Sequence, residues 1–169
     1  MALQTSSTSF PVPQPWLGAV IAPEPPAVPG TAEELVAAAL RHPSGTPPLR
    51  ELAQRTYLPG QRIAILIDDC TRKTPTAQIL PLVLAELAAA GVPPHDITII
   101  VALGTHRPLT KGELQTKLGA AAHRGYTIVN QPCTDADGFV EVGQMTSLQG
   151  GVELPTIPPQ INRHVLHAD

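Results

Sequence analysis

Two short stretches of the chain hold the side chains with most chemistry to offer. The first is Asp68-Asp-Cys-Thr-Arg-Lys-Thr74, and the second is Gly104-Thr-His-Arg107. An arginine such as Arg72 can clamp a carboxylate or phosphate through two parallel hydrogen bonds. A histidine such as His106 is the side chain best suited to moving a proton near neutral pH. Gly104 lets the backbone turn and lets a ligand come close. Thr74-Pro75 reads as the start of a helix, whose first amides and partial positive charge favour an anion. Together these groups suit a small anionic substrate that must lose or gain a proton.

Plainer readings of the same residues stand beside that one. Asp68 and Asp69 equally suit helix capping with an ion pair to Arg72. His106 also reads as a hydrogen-bonded turn residue, and Lys73 and Arg107 as solvated cations. Cys70 and Cys133 read as free structural thiols. His42, His95 and His123 lie in polar segments and read as surface. His164 and His167 are spaced to share one helical face, but surface is again the preferred reading.

The elements that must position these loops are legible. Residues 63–67 (Ile-Ala-Ile-Leu-Ile) and 97–103 (Ile-Thr-Ile-Ile-Val-Ala-Leu) are continuous apolar runs rich in β-branched residues, as strands buried on both faces are. A third strand is expected over 126–129. Thr31-Ala-Glu-Glu34 and Thr110-Lys-Gly-Glu113 have the capping-box form and predict helices that Pro43 and Gly119 end. A short helix is expected over 48–56, followed by a turn at Pro59-Gly60, and a longer one from Thr74 to about Ala90, stopped by Gly91 and kinked or delayed by Pro81. Strand, helix, strand, helix, strand in that order implies a parallel sheet. We therefore expect an α/β fold, a three-layer domain with a mainly parallel sheet flanked by helices, over residues 31–169. Residues 1–30 form a Pro-rich extended segment, with disorder before Phe10 and a short edge strand over 16–22. Short strands are expected over 139–145 and 152–157 around Gly150-Gly151. In such a sheet, ligands bind outside the carboxyl ends of the strands, where both chemical loops fall.

Composition narrows the function further. The 169 residues carry 11 Lys and Arg against 14 Asp and Glu, a formal charge of −3, which argues against a nucleic-acid partner. Only 15% of residues are charged, so contacts with a missing part or a second copy are expected to cover some of the surface. No apolar run approaches the ~20 residues of a membrane span, and no signal-peptide pattern opens the chain, so a cytoplasmic protein is the expectation. The two cysteines form neither a disulfide framework nor a zinc motif, and no metal site is assigned.

At the two loops the sequence resembles a known family. Asp69-Cys-Thr-Arg72 followed by Thr74-Pro75, then Ala102-Leu-Gly-Thr-His-Arg-Pro108, is similar to the nickel-dependent lactate racemases. Asp96-Ile-Thr-Ile-Ile100, Glu113-Leu114, Asn130 and Asp135 fit the same pattern, and Gly143, Thr146, Ile161-Asn162 and Ala168-Asp169 fit more loosely. The likeness covers roughly residues 30–169 and matches only the N-terminal domain of that family.

The resemblance implies a 2-hydroxy acid as substrate. It also implies a nickel-pincer nucleotide as the cofactor that accepts and returns hydride, with one histidine taking the hydroxyl proton. By motif, His106 would be that base and Arg72 would hold the substrate carboxylate. Asp69, Thr71 and Arg107 would contact the cofactor, or in the case of Asp69 and Thr71 orient Arg72. The family's second catalytic histidine, its nickel ligand and its cofactor-bearing lysine lie beyond this domain and do not transfer to His164 or His167. Lys73 and Gln131 depart from the usual residues. The chain ends at Asn162–Asp169 as though cut, so it is expected to be inactive without a C-terminal domain supplied in cis or in trans. The rival expectation is a non-catalytic module that binds a small carboxylate or nucleotide.

Overall fold

The computed structural model describes residues 2–4, 9–11, 13, 29–143 and 158–169. The expected strands over 16–22 and 152–157, and the turn between the last two, lie outside the described residues.

The centre is a parallel sheet of β3 (Ile63–Asp68), β4 (Ile97–Ala102) and β5 (Thr127–Val129), in that spatial order. Ile65 pairs with Ile99, Asp68 with Ala102, and Ile99 with Ile128. The β-branched runs thus stack in register, and both end at one rim. An α/β fold with a parallel sheet and flanking helices is what the sequence implied.

Helices α1 (Ala32–Arg41), α2 (Leu49–Thr56), α3 (Thr76–Ala89) and α4 (Lys111–Leu118) surround one face of the sheet. Leu80, Leu84 and Leu87 recur at helical spacing along α3 and pack with Ile67, Ile97, Ile99 and Val101 in the core. Arg50 of α2 donates twice to the Glu86 carboxylate of α3, at 2.9 and 3.0 Å. Both predicted capping boxes form: Thr31 with Glu34, and Thr110 with Glu113. Gly119 ends α4 at φ +57°, and a Cβ there would lie 3.2 Å from the Ala77 Cβ. The glycine therefore serves both the turn and the close approach of α3 to α4.

Leu118, in the last turn of α4, is fully buried in the same core. Leu118→Ala removes its packing and leaves a cavity, which is expected to lower stability by about 2–5 kcal/mol. A urea titration of the purified chain measures this; a midpoint matching wild type would contradict the packing described.

The other face of the sheet meets a smaller antiparallel pair, β6 (Phe139–Glu141) and β7 (Gln160–Asn162), followed by α5 (Arg163–Leu166). Between them lies a cavity of about 530 Å³ lined by Leu66, Ile100, Phe139, Ile161 and Val165.

Three expectations need correction. Residues before Phe10 are not disordered throughout, since β1 (Ala2–Gln4) pairs antiparallel with β2 (Ser9–Pro11). The only proline in that ladder is its last residue, where a missing N–H does least harm. Helix α3 starts at Thr76 with Pro75 as its cap, not at Pro75 with Thr74 as cap, because the Thr74 hydroxyl donates to Asp68 instead. Pro81 does not delay α3; it sits inside the helix.

Candidate active site

β3 and β4 are neighbours, so the loops that follow them leave the same rim of the sheet. Asp69 follows β3 directly and is buried, 5% exposed at its side chain, whereas the His106 ring is 51% exposed. Gly104 turns the second loop at φ +57°, and the His106 amide closes the turn onto the Leu103 carbonyl at 3.0 Å. The His106 Nδ1 hydrogen-bonds to Asp69 Oδ2 across the two loops. The other oxygen, Oδ1, accepts from the Thr71 amide at 3.0 Å and the Thr71 hydroxyl at 2.6 Å.

These bonds set the ionisation of Asp69. The Thr71 hydroxyl, then His106, hold the Asp69 carboxyl down at about 2. An ionised carboxylate only accepts, so the neutral form of the ring has its proton on Nδ1 and its lone pair on Nε2. Nε2 has no partner among the described residues. A buried carboxylate behind a half-exposed imidazole is an arrangement that orients a general base and stabilises it once protonated.

Arg72 lies outside that cluster. It is exposed and lines a cavity of about 400 Å³ together with Lys73, Thr74, Ala77, Glu113 and Lys117. His106 does not line this cavity. The expected ion pair of Arg72 with the acidic residues is absent among the described residues: Asp69 takes Thr71 and His106, and Asp68 takes Lys117 at 2.6 Å. Burial pushes the Asp68 carboxyl up, but Lys117, Thr74 and Thr76 outweigh it and hold the group below its ordinary value.

Arg107 is not free in solvent. Its Nη1 donates to the Pro108 carbonyl and to Glu113 Oε2, both at 2.9 Å, and its Nη2 to Glu113 Oε1 at 2.7 Å. Arg107, followed by the Thr110 amide, lowers Glu113 to about 2. Its Nε–H has no partner among the described residues. Asn130, at the end of β5, ties down the same loop: its side-chain oxygen accepts from the Leu109 amide at 3.0 Å and its nitrogen donates to the Leu109 carbonyl at 2.8 Å. Cys70 and Cys133 are free and exposed. Asn162 caps α5 by accepting from the His164 amide, and His167 lies beyond the end of that helix. Among the described residues no group of three His, Cys, Asp or Glu side chains could hold a metal ion. No helix among them is long and apolar enough to cross a membrane.

Sequence reasoning missed three contributions: the Asp69–His106 bond, the grip of Glu113 on Arg107, and Lys117 altogether. The register of two neighbouring parallel strands carried the signal for the first. Glu113 was legible as a cap but not as an ion-pair partner. Lys117 gave no local signal.

The two strongly acidic carboxyls set an acid limit on stability. Asp69 and Glu113 have ordinary values of 3.8 and 4.5, and both are held near 2 in the fold. A lowered folded value means that the stabilisation is complete above the ordinary value and is lost as pH falls through the folded one. Urea midpoints are therefore expected to fall progressively between pH 4.5 and about 2. Midpoints that stay flat across that window would show that these bonds do not persist in solution.

The sequence matches the family described as the lactate racemase N-terminal domain over residues 3–169. It is 36% identical over 115 residues to the lactate racemase of Lactiplantibacillus plantarum, which covers 68% of this chain and 26% of that protein. It is 29% identical over the same length to the lactate racemase of Thermoanaerobacterium thermosaccharolyticum. The fold superposes on the structure of the lactate racemase apoprotein from Thermoanaerobacterium thermosaccharolyticum with a TM-score of 0.63, covering 81% of this chain and 30% of that one. A protein from Thermotoga maritima shares the fold at a TM-score of 0.58 and 21% identity. The chain thus spans 26% of the length of the curated relatives it matches.

Proposed function

Because the chain belongs to the lactate racemase N-terminal domain family, we propose that it serves a racemase or epimerase of 2-hydroxy acids that uses a nickel-pincer nucleotide. The single observation that carries this reading is the buried Asp69 carboxylate behind the half-exposed His106 at the sheet rim.

His106 is the base. Asp69 keeps the ring proton on Nδ1, so Nε2 can take the hydroxyl proton of the substrate and return it. The imidazolium formed in that step is stabilised by the same carboxylate. Thr71 acts through Asp69, fixing its second oxygen. Arg72 holds the substrate carboxylate through paired charge-assisted hydrogen bonds, which fixes the orientation of Cα. Arg107, with Nη1 and Nη2 committed to Glu113, offers Nε–H and positive charge to an anionic group of the cofactor.

Hydride acceptance and return is the chemistry that the bound nucleotide supplies. The described residues offer that reaction a base, His106, and a guanidinium, Arg72, of which Arg72 alone lines the cavity of about 400 Å³. They offer no three-ligand set for nickel, so nickel ligation and covalent attachment are assigned to a C-terminal domain, in cis or in trans. On this reading the 169-residue chain is inactive alone. A cytoplasmic setting agrees with two free, exposed thiols.

The test is mass spectrometry of the natively purified full-length protein for a nickel-containing adduct, followed by polarimetry on lactate, malate and sugar acids. Racemisation by adduct-bearing protein is the expected result. A protein that binds carboxylates but turns none over would favour a binding module.

A further inference from the structure

Helix α4 touches both chemical loops through two side chains four residues apart, Glu113 and Lys117, which lie on neighbouring turns of one helix face. Lys117 is 8% exposed at its side chain, which is unusual for a lysine on a short surface helix. An ammonium has three donors, and the structure offers it three acceptors on one loop. They are Asp68 Oδ1 at 2.6 Å, the Arg72 carbonyl at 3.4 Å and the Thr74 carbonyl at 3.4 Å. These acceptors flank the turn that carries Asp69, Thr71 and Arg72. One helical turn away, Glu113 takes the Arg107 guanidinium in a two-point grip, next to His106.

We propose that α4 is a two-pronged clamp in which Lys117 positions the loop bearing Arg72 and Glu113 positions the loop bearing His106. The proposal rests on the functional reading above, and it deepens that reading by naming what sets the spacing of base and carboxylate clamp. Both are positioning residues, acting through backbone and through Arg107. The contact of α3 with α4 at Gly119 and Ala77 holds the helix itself in place, so the clamp has a fixed base.

The experiment compares wild type, Lys117→Met, Lys117→Arg and Glu113→Gln in the full-length protein. Hydrogen exchange by mass spectrometry is read on peptides covering 69–80 and 104–110, with the β4 peptide as the internal reference. Lys117→Met is expected to speed exchange over 69–80 at least tenfold and to leave β4 protected. Glu113→Gln keeps the cap on α4 but weakens the grip on Arg107, so it is expected to loosen 104–110 selectively. Lys117→Arg keeps the cation and is expected to restore most of the protection. In racemisation, Lys117→Met raises KM for lactate more than it lowers kcat, and Glu113→Gln does the reverse. Unchanged exchange over 69–80 in Lys117→Met overturns the clamp. So does exchange that rises equally in β4, which means general destabilisation. Loosened loops with unaltered kinetic constants overturn the positioning role. If wild type itself racemises no hydroxy acid, the functional reading fails, and the exchange comparison still decides the clamp.

Discussion

His106→Ala in the cofactor-loaded full-length protein is expected to cut racemisation of lactate by a factor of ~10²–10⁴, the usual contribution of a positioned general base. The half-exposed imidazole offers the only nitrogen lone pair in the Asp69–Thr71–His106 cluster. Asp69 has both oxygens occupied, and the Thr71 hydroxyl is spent on Asp69. Alanine therefore leaves no substitute base on that rim among the cluster's own members. His106 is half exposed and takes no part in the core, so the variant should fold and retain the nickel adduct. Polarimetry and metal analysis on the same preparation separate loss of chemistry from loss of cofactor. Turnover within a few-fold of wild type would remove His106 from the mechanism.

Asp69→Asn is the second large effect. The side chain keeps its size and one oxygen, but the negative charge behind the ring is gone. An amide can present its nitrogen to His106, which favours the tautomer with the proton on Nε2, where no base remains. The expected loss in kcat is again of order ~10²–10⁴, with KM for lactate within about threefold of wild type because Arg72 is untouched. The two variants differ in a second measurement. Asp69→Asn abolishes the Asp69 part of the acid-dependent fall in stability, leaving the Glu113 and Asp68 parts. A kcat that falls less than tenfold would mean that Asp69 supports the loop rather than the base.

How much of this was legible depended on the range of the interaction. The strands over 63–68 and 97–102 announced themselves because runs of β-branched residues have few other solutions, although burial on both faces holds only for β4, since Leu66 of β3 is 55% exposed. The helices after Thr31 and Thr110 were equally plain, since a capping box is closed within four residues. Local chemistry misled at Thr74-Pro75. It is a sound helix start on its own terms, but Asp68 competed for the Thr74 hydroxyl and won. The acidic pair was read against Arg72 for the same reason, because a partner three or four residues away is all that spacing can see. The true partners of Asp68 and Asp69 are Lys117 and His106, brought in by the parallel pairing of β3 with β4 and by the packing of α4 on α3. Lys117 had no reason to stand out. A lysine near the end of a short helix ordinarily faces water, and only the assembled fold gives it three acceptors.

Asn130 shows how narrow the tolerance at this rim is. Its amide copies the edge of a peptide group, meeting both the N–H and the C=O of Leu109, and so stitches the second loop to β5 much as another strand would. Changing one atom, nitrogen to oxygen, would keep the shape and turn half of that stitch into a clash between a carboxylate and a carbonyl. An aspartate at that position would therefore loosen the loop where it meets β5 while leaving the core of the sheet in place.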